Sequence, residues 1–121
     1  MTVPSRKGRG AALRRANGFF LVLTTTGSPA QASRLSRLIV RERAAACVNA
    51  VPGVHSRYWW GGKVARDAET LLLIKTGRSQ LKRLAQLIRS HHPYDLPELI
   101  ALPLSHGAPT YLAWLEQSLK P

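Results

Sequence analysis

The sequence has one cysteine, Cys47, and only six acidic residues in 121, set against 18 Lys and Arg. A lone thiol excludes an intrachain disulfide and any paired-cysteine metal motif, and it fits a reducing, cytoplasmic setting. Long apolar runs are missing too: Phe19–Leu23 and Leu71–Ile74 fall far short of the roughly 20 residues a membrane-crossing helix needs. No membrane span is expected. The first 17 residues hold five cations, no acid and no apolar stretch, which excludes a secretory signal. They read as a basic disordered N-terminal arm, residues 1–17, with an organelle transit peptide as the second reading.

What is present suits one small domain over residues 18–121, with 45% apolar content in the whole chain. The arm carries five of the 18 cations, so residues 18–121 keep 13 against six acids, a charge of +7 out of +12. Such a balance favours anionic contacts without specifying one. A domain of this size buries only about two thirds of its unfolded surface, so self-association would add useful burial.

Along the chain, Gly18–Thr26 is β-branched, aromatic and apolar at consecutive positions, and reads as a central strand buried on both faces. Ser28 and Pro29 open a helix to about Arg43, with Ala32, Leu35, Leu38 and Ile39 at helical spacing. Ala44–Val51 is a short apolar stretch that Pro52–Gly53 breaks before Val54–Trp60 resumes an extended pattern. Gly61–Gly62 is a two-residue hairpin turn into a return strand from about Lys63 to Thr76. These arms are too long for a small domain's own sheet. Ser79 is a candidate cap for a second helix carrying Leu81, Leu84, Leu87 and Ile88, which Pro93 stops. Glu98–Leu104 is a last strand, and Ala108–Pro109 opens a terminal helix. The order β-α-β-β-α-β plus a helix predicts an α+β fold, a ferredoxin-like split β-α-β antiparallel sheet with a C-terminal helix.

Over residues 18–118 the chain resembles the CutA divalent-cation tolerance family. The matching pieces are Ala46-Cys47-Val48-Asn49, Pro52-Gly53, Ser56, Tyr58, Trp60-Gly61-Gly62-Lys63, Glu69, Lys75-Thr76, His92-Pro93-Tyr94, Pro97-Glu98 and Tyr111-Leu112-Ala113-Trp114. The resemblance implies a homotrimer in which the long hairpin pairs with neighbouring sheets, and a link to divalent metal, notably copper. In some bacterial relatives a cysteine at the end of the first strand and two consecutive histidines are regarded as the copper ligands. Here His91 and His92 are present and Thr24 stands at the cysteine's place. A hydroxyl is a poor substitute for thiolate toward a soft metal. Members also carry a glutamate soon after the hairpin's Gly-Lys, whereas this chain has Val64-Ala65-Arg66.

Each candidate has a structural reading beside the functional one. His91 and His92 form the candidate metal site, yet a histidine at a helix end also complements the helix dipole, and adjacent helical residues point about 100° apart. Cys47 reads as a small buried hydrophobe rather than a nucleophile. Tyr58, Trp59 and Trp60 beside Arg57 and Lys63 could stack bases, but an intersubunit core is the stronger reading. Glu98, Tyr94 and Lys75 could line a polar pocket between subunits, or form a structural ion pair. The favoured function is a non-enzymatic, cytoplasmic homotrimer binding divalent metal, copper above others, near its subunit interfaces. The alternatives are a structural or signalling trimer holding a small anion or partner protein in intersubunit clefts and, ranked last because the arm supplies much of the charge, a nucleic-acid-binding module.

Overall fold

The computed structural model describes residues 12–121. In chain order they form β1 (Arg14–Arg15), β2 (Phe19–Thr26), α1 (Pro29–Arg41), β3 (Cys47–Trp60), β4 (Lys63–Gly77), a 3-10 turn (Arg78–Gln80), α2 (Leu81–His91), β5 (Ile100–Pro103), β6 (His106–Gly107) and α3 (Pro109–Ser118). The four-stranded antiparallel sheet has the order β3-β4-β2-β5, and β1 pairs with β6 in a second, two-stranded one. Because β4 is antiparallel to both β2 and β3, those two strands run parallel with β4 between them. This is the expected ferredoxin-like split β-α-β arrangement.

Pairing of β2 with β4 runs unbroken from Phe19 opposite Gly77 to Thr26 opposite Thr70. Since successive strand residues face opposite sides, Val22, Leu72 and Ile74 meet Ala32, Leu35 and Ile39 of α1 and Leu84 and Ile88 of α2 in one core. The other face carries Leu21, Leu23, Leu71 and Leu73, all half-buried. The expectation that β2 is buried on both faces is therefore corrected. Helices α1 and α2 cover one side, while α3 builds a second core in which Leu112, Leu115 and Leu119 join Ala16 and Phe19.

Local chemistry sets the element ends. Ser28 Oγ accepts the Gln31 N–H at 3.2 Å while the Gln31 side chain accepts the Gly27 N–H at 2.9 Å, a reciprocal cap of the helix start. The expected cap by Ser79 does not form: Ser79 lies inside the 3-10 turn, whose start has no side-chain cap. Nor does Pro52–Gly53 end a strand. β3 continues through it with an irregularity between Val51 and Val54, and Gly53 takes up the bend at φ 75°. Gly61 and Gly62 have φ of 59° and 76°, both positive as a two-residue hairpin turn with matching twist requires.

β2 pairs with β4 only as far as Thr70, so Lys63–Glu69 and their β3 partners Val54–Trp60 form an arm beyond the sheet. Seven residues at strand rise reach about 23 Å. Most of its positions are exposed.

The N-terminal boundary moves. Residues 1–11 of the expected arm lie outside the described residues, but Arg14 and Arg15 pair with Gly107 and His106. Ala16 is 0% exposed in the Phe19–Leu112–Leu115 cluster, its N–H bonded to the Ser105 carbonyl at 2.9 Å. The domain includes residues that the sequence reading assigned to a disordered arm. Ala16→Asp should therefore cost about 2 kcal/mol or more by burying an unpaired charge, while Asn17→Asp at the exposed neighbour should be nearly neutral. Urea unfolding of both variants checks this, and equal midpoints would return the boundary to residue 18.

Candidate functional site

Where the arm leaves the sheet, the loop after α2 closes over it and forms a cleft of about 840 Å³. Its walls come from the β3 side of the arm, Ser56–Trp60, from the β4 side, Asp67–Glu69, and from the loop Tyr94–Glu98. Four of the chain's six carboxylates, Asp67, Glu69, Asp95 and Glu98, line it, with Arg57 as the one lining Lys or Arg. In a chain of charge +12 this gathers most of the negative charge into one place.

Glu69 lies one residue past the β2-paired part of β4 and is 8% exposed. Its Oε2 accepts the Tyr94 hydroxyl at 2.9 Å. The Tyr58 hydroxyl donates in the same way to Asp67. Burial first, and then the bond to Glu69, push the Tyr94 phenol up to about 12, and the bond to Asp67 raises that of Tyr58. Both phenols remain neutral donors at physiological pH and hold their carboxylates in place.

His92 fixes the loop that carries Tyr94. Its Nδ1 accepts the Tyr94 N–H at 3.0 Å, which puts the ring proton on Nε2, and Nε2 donates to the Thr25 carbonyl at 2.7 Å. The ring is 8% exposed and lies 4.8 Å from that of Tyr94. Both nitrogens are used. His91, in the last turn of α2, is exposed.

The expected His91–His92 copper pair is therefore not assembled, because one ring turns in to brace the loop and the other turns out to solvent. Thr24 does not complete it either: the side chain is 0% exposed and its hydroxyl has no partner among the described residues. Among the described residues no three His, Cys, Asp or Glu side chains stand close enough to hold a metal ion. The residues present in one chain do not fit a resident copper.

The other candidates separate as well. Cys47 is half-buried rather than buried, since it lies on the sheet face opposite the helices, with Lys75 Nζ and Asn49 Oδ1 each 3.8 Å from its Sγ. Lys75 is thus apart from Tyr94 and Glu98, which do share the cleft. Tyr58, Trp59 and Trp60 are 39%, 76% and 60% exposed in the single chain, leaving apolar surface that the described residues do not cover. Arg66 stands opposite Arg57, a like-charged pair that weakens this part of the arm. Asp67 and Asp95 escaped the sequence reading. Their signal was the pairing of scarce acids in two short segments, 67–69 and 95–98.

Residues 20–118 match the family described as CutA1 divalent ion tolerance protein. The chain belongs to this CutA1 family. It is 47% identical over 100 residues to the chloroplastic protein CutA 1 of Oryza sativa subsp. japonica, covering 83% of this chain and 56% of that one. It is 40% identical over 100 residues to the divalent-cation tolerance protein CutA of Escherichia coli, covering 83% and 89%. The crystal structure of CutA from Xylella fastidiosa superposes with a TM-score of 0.84 at 38% identity, covering 86% of this chain and all of that one. The chain thus spans little more than half the length of the plant relative and most of the bacterial ones. Among the described residues no helix is long and apolar enough to cross a membrane.

The phenol–carboxylate pairs give the site a pH signature. Below about 10, the usual phenol value, Tyr94 is protonated whether folded or not. Between there and its folded value of about 12 the unfolded chain releases the proton first, so stability falls as pH rises. Tyr94→Phe should remove much of this alkaline loss, visible as thermal midpoints that change less between pH 9 and 11.5 than in the parent. Identical alkaline slopes would place the titration elsewhere.

Proposed function

We propose that this CutA1-family chain works by binding divalent cations, without catalysis, in a homotrimer whose subunit contacts use the hairpin arm. What carries the reading is the position of four of the six carboxylates at the root of an arm that projects from the domain. Hard divalent cations take six or more oxygen ligands, with water supplying part of the shell. The cleft offers carboxylates but no complete set, so donors from a neighbouring chain or from water finish the site. A small anion, the alternative expectation, would face these carboxylates across the same space.

Support for the trimer comes from the sheet. Among the described residues its outer strands β3 and β5 each present an unpaired edge, and Val51, Ile100 and Leu102 on them are 41–48% exposed. Unlike edges that join head to tail close a ring when the rotation permits. A two-stranded arm is also marginal in water by itself. Copper, expected from the resemblance, has less to work with: His91 is the one exposed imidazole of the histidine pair, and the cleft's oxygen donors suit manganese, magnesium or calcium better. Against catalysis, the groups beside Cys47 are Lys75 and Asn49, not a histidine that could act as base. The reducing, cytoplasmic setting is kept as part of the proposal because the only thiol is free.

The test combines assembly and binding. Sedimentation velocity should give about 40 kDa for three 13.3 kDa chains, with Trp60→Asp shifting the population to smaller species. Calorimetric titration of the assembled protein with Mn(II) should show binding that Glu69→Gln with Asp95→Asn weakens at least about tenfold, a loss of about 1.4 kcal/mol. His91→Ala should leave Mn(II) binding unchanged while lowering any Cu(II) affinity. A stable monomer would overturn the trimer, and an undiminished Mn(II) affinity in the carboxylate variant would overturn the cleft.

A further inference from the structure

Charge is sorted on this molecule, and the cationic side lies away from the cleft. Helices α1 and α2 turn Ala32, Leu35, Ile39, Leu84 and Ile88 to the sheet, so their outward sides form a single layer. That layer presents Arg34, Arg37, Arg41, Lys82, Arg83 and Arg89, all exposed. Neither helix contains an acidic residue. The nearest is Glu42, just past α1, which meets Arg83 at 3.7 Å in the one ion pair among the described residues. The other carboxylates are committed to the cleft or, as Glu116, to α3. The basic character of the chain is therefore built into a rigid face and does not reside in its first 17 residues alone.

We infer that the α1–α2 face binds duplex nucleic acid through the phosphate backbone, without reading its sequence. Five of the six cations are arginines, whose planar forks grip phosphate oxygens in pairs. Arg34, Arg37 and Arg41 follow the helical i, i+3, i+7 spacing along about 10 Å of axis, close to the rise from the first to the fourth phosphate of one strand at about 3.4 Å per step. Neither helix has a Phe, Tyr or Trp, so the face has no broad platform for stacking the bases of a single strand. Its large exposed apolar side chain is Val40 alone, at 42%, too little to anchor a bilayer surface. The face does not include the arm or β5, and Arg34, Arg37 and Arg41 line one recess with Val48 of β3. A trimer would present it three times.

The experiment uses full-length protein and a fluorescein-labelled 20-base-pair duplex DNA of mixed sequence, read by anisotropy from 50 to 200 mM KCl. Three charge-matched variants are compared: Arg34→Gln, Arg37→Gln and Arg41→Gln together; Arg57→Gln, Lys63→Gln and Arg66→Gln on the arm; and Arg6→Gln, Lys7→Gln and Arg9→Gln. The helix triple should weaken binding at least about tenfold and flatten the slope of log K against log salt by about 2 to 3, one phosphate contact per arginine lost. The arm and N-terminal triples should change affinity by less than about threefold. Replacing the same helix arginines by lysine should restore most of the binding and nearly all of the salt slope, which separates charge loss from misfolding. Equal losses in all three glutamine triples would mean net charge alone. A loss confined to the N-terminal triple, or wild-type protein that ignores the duplex at 50 mM KCl yet binds phosphatidylserine vesicles, would also overturn the inference.

Discussion

Everything in the domain follows from the eight-residue pairing of β2 with β4. It sets which residues face the helices, and one step of slippage would turn Leu72 and Ile74 outward and bring Leu71 and Leu73 in. Its length is as consequential as its register. Because β2 ends at Thr26, β4 has no inner neighbour before Thr70, and the hairpin must continue as a ribbon. Glu69 sits at that transition, where the loop after α2 can fold over it and Tyr94 can reach its carboxylate.

The charge arrangement grows from the same geometry. The helices need only one apolar stripe each to cover the sheet, which frees their outer positions for cations. The root of the arm is different, because three backbone segments meet there and leave a recess that no core side chain fills. Carboxylates in a recess repel one another and need nearby donors. The hydroxyls of Tyr58 and Tyr94 supply two, and His92 locks the loop that brings the second. A histidine pair that looks like a metal ligand set in one dimension serves in three as a brace on one side and a solvent-facing ring on the other.

What could be read from sequence was what local chemistry decides. The order of elements, the Ser28–Pro29 helix start, the Gly61–Gly62 turn and the stop at Pro93 depend on neighbours within a few residues, and each appears close to where it was expected. The N-terminal boundary depends on Gly107, more than 90 residues away from Arg14, and nothing in the arm's own composition points there. Two-sided burial of β2 failed because consecutive apolar residues do not say what covers the second face. The cleft was only half legible: Tyr94 and Glu98 were joined correctly, but Lys75 was placed with them although it lies on the open sheet face beside Cys47. Asp67 and Asp95 come together from segments 28 positions apart in number, and only the closure of the loop over the arm makes them neighbours.

The strand edges have a consequence for the newly made chain. In the single chain β3 and β5 stand at the sheet's edges, templates on which another extended polypeptide could pair. Pro52 interrupts the donor row of β3 beside its irregularity, and Pro103 closes β5 after four residues, so neither edge presents a long unbroken row of N–H groups. The same two edges are thereby poorly suited to indefinite fibre growth. Broken at Pro52 and ended at Pro103, each edge makes a poor seed for a fibre.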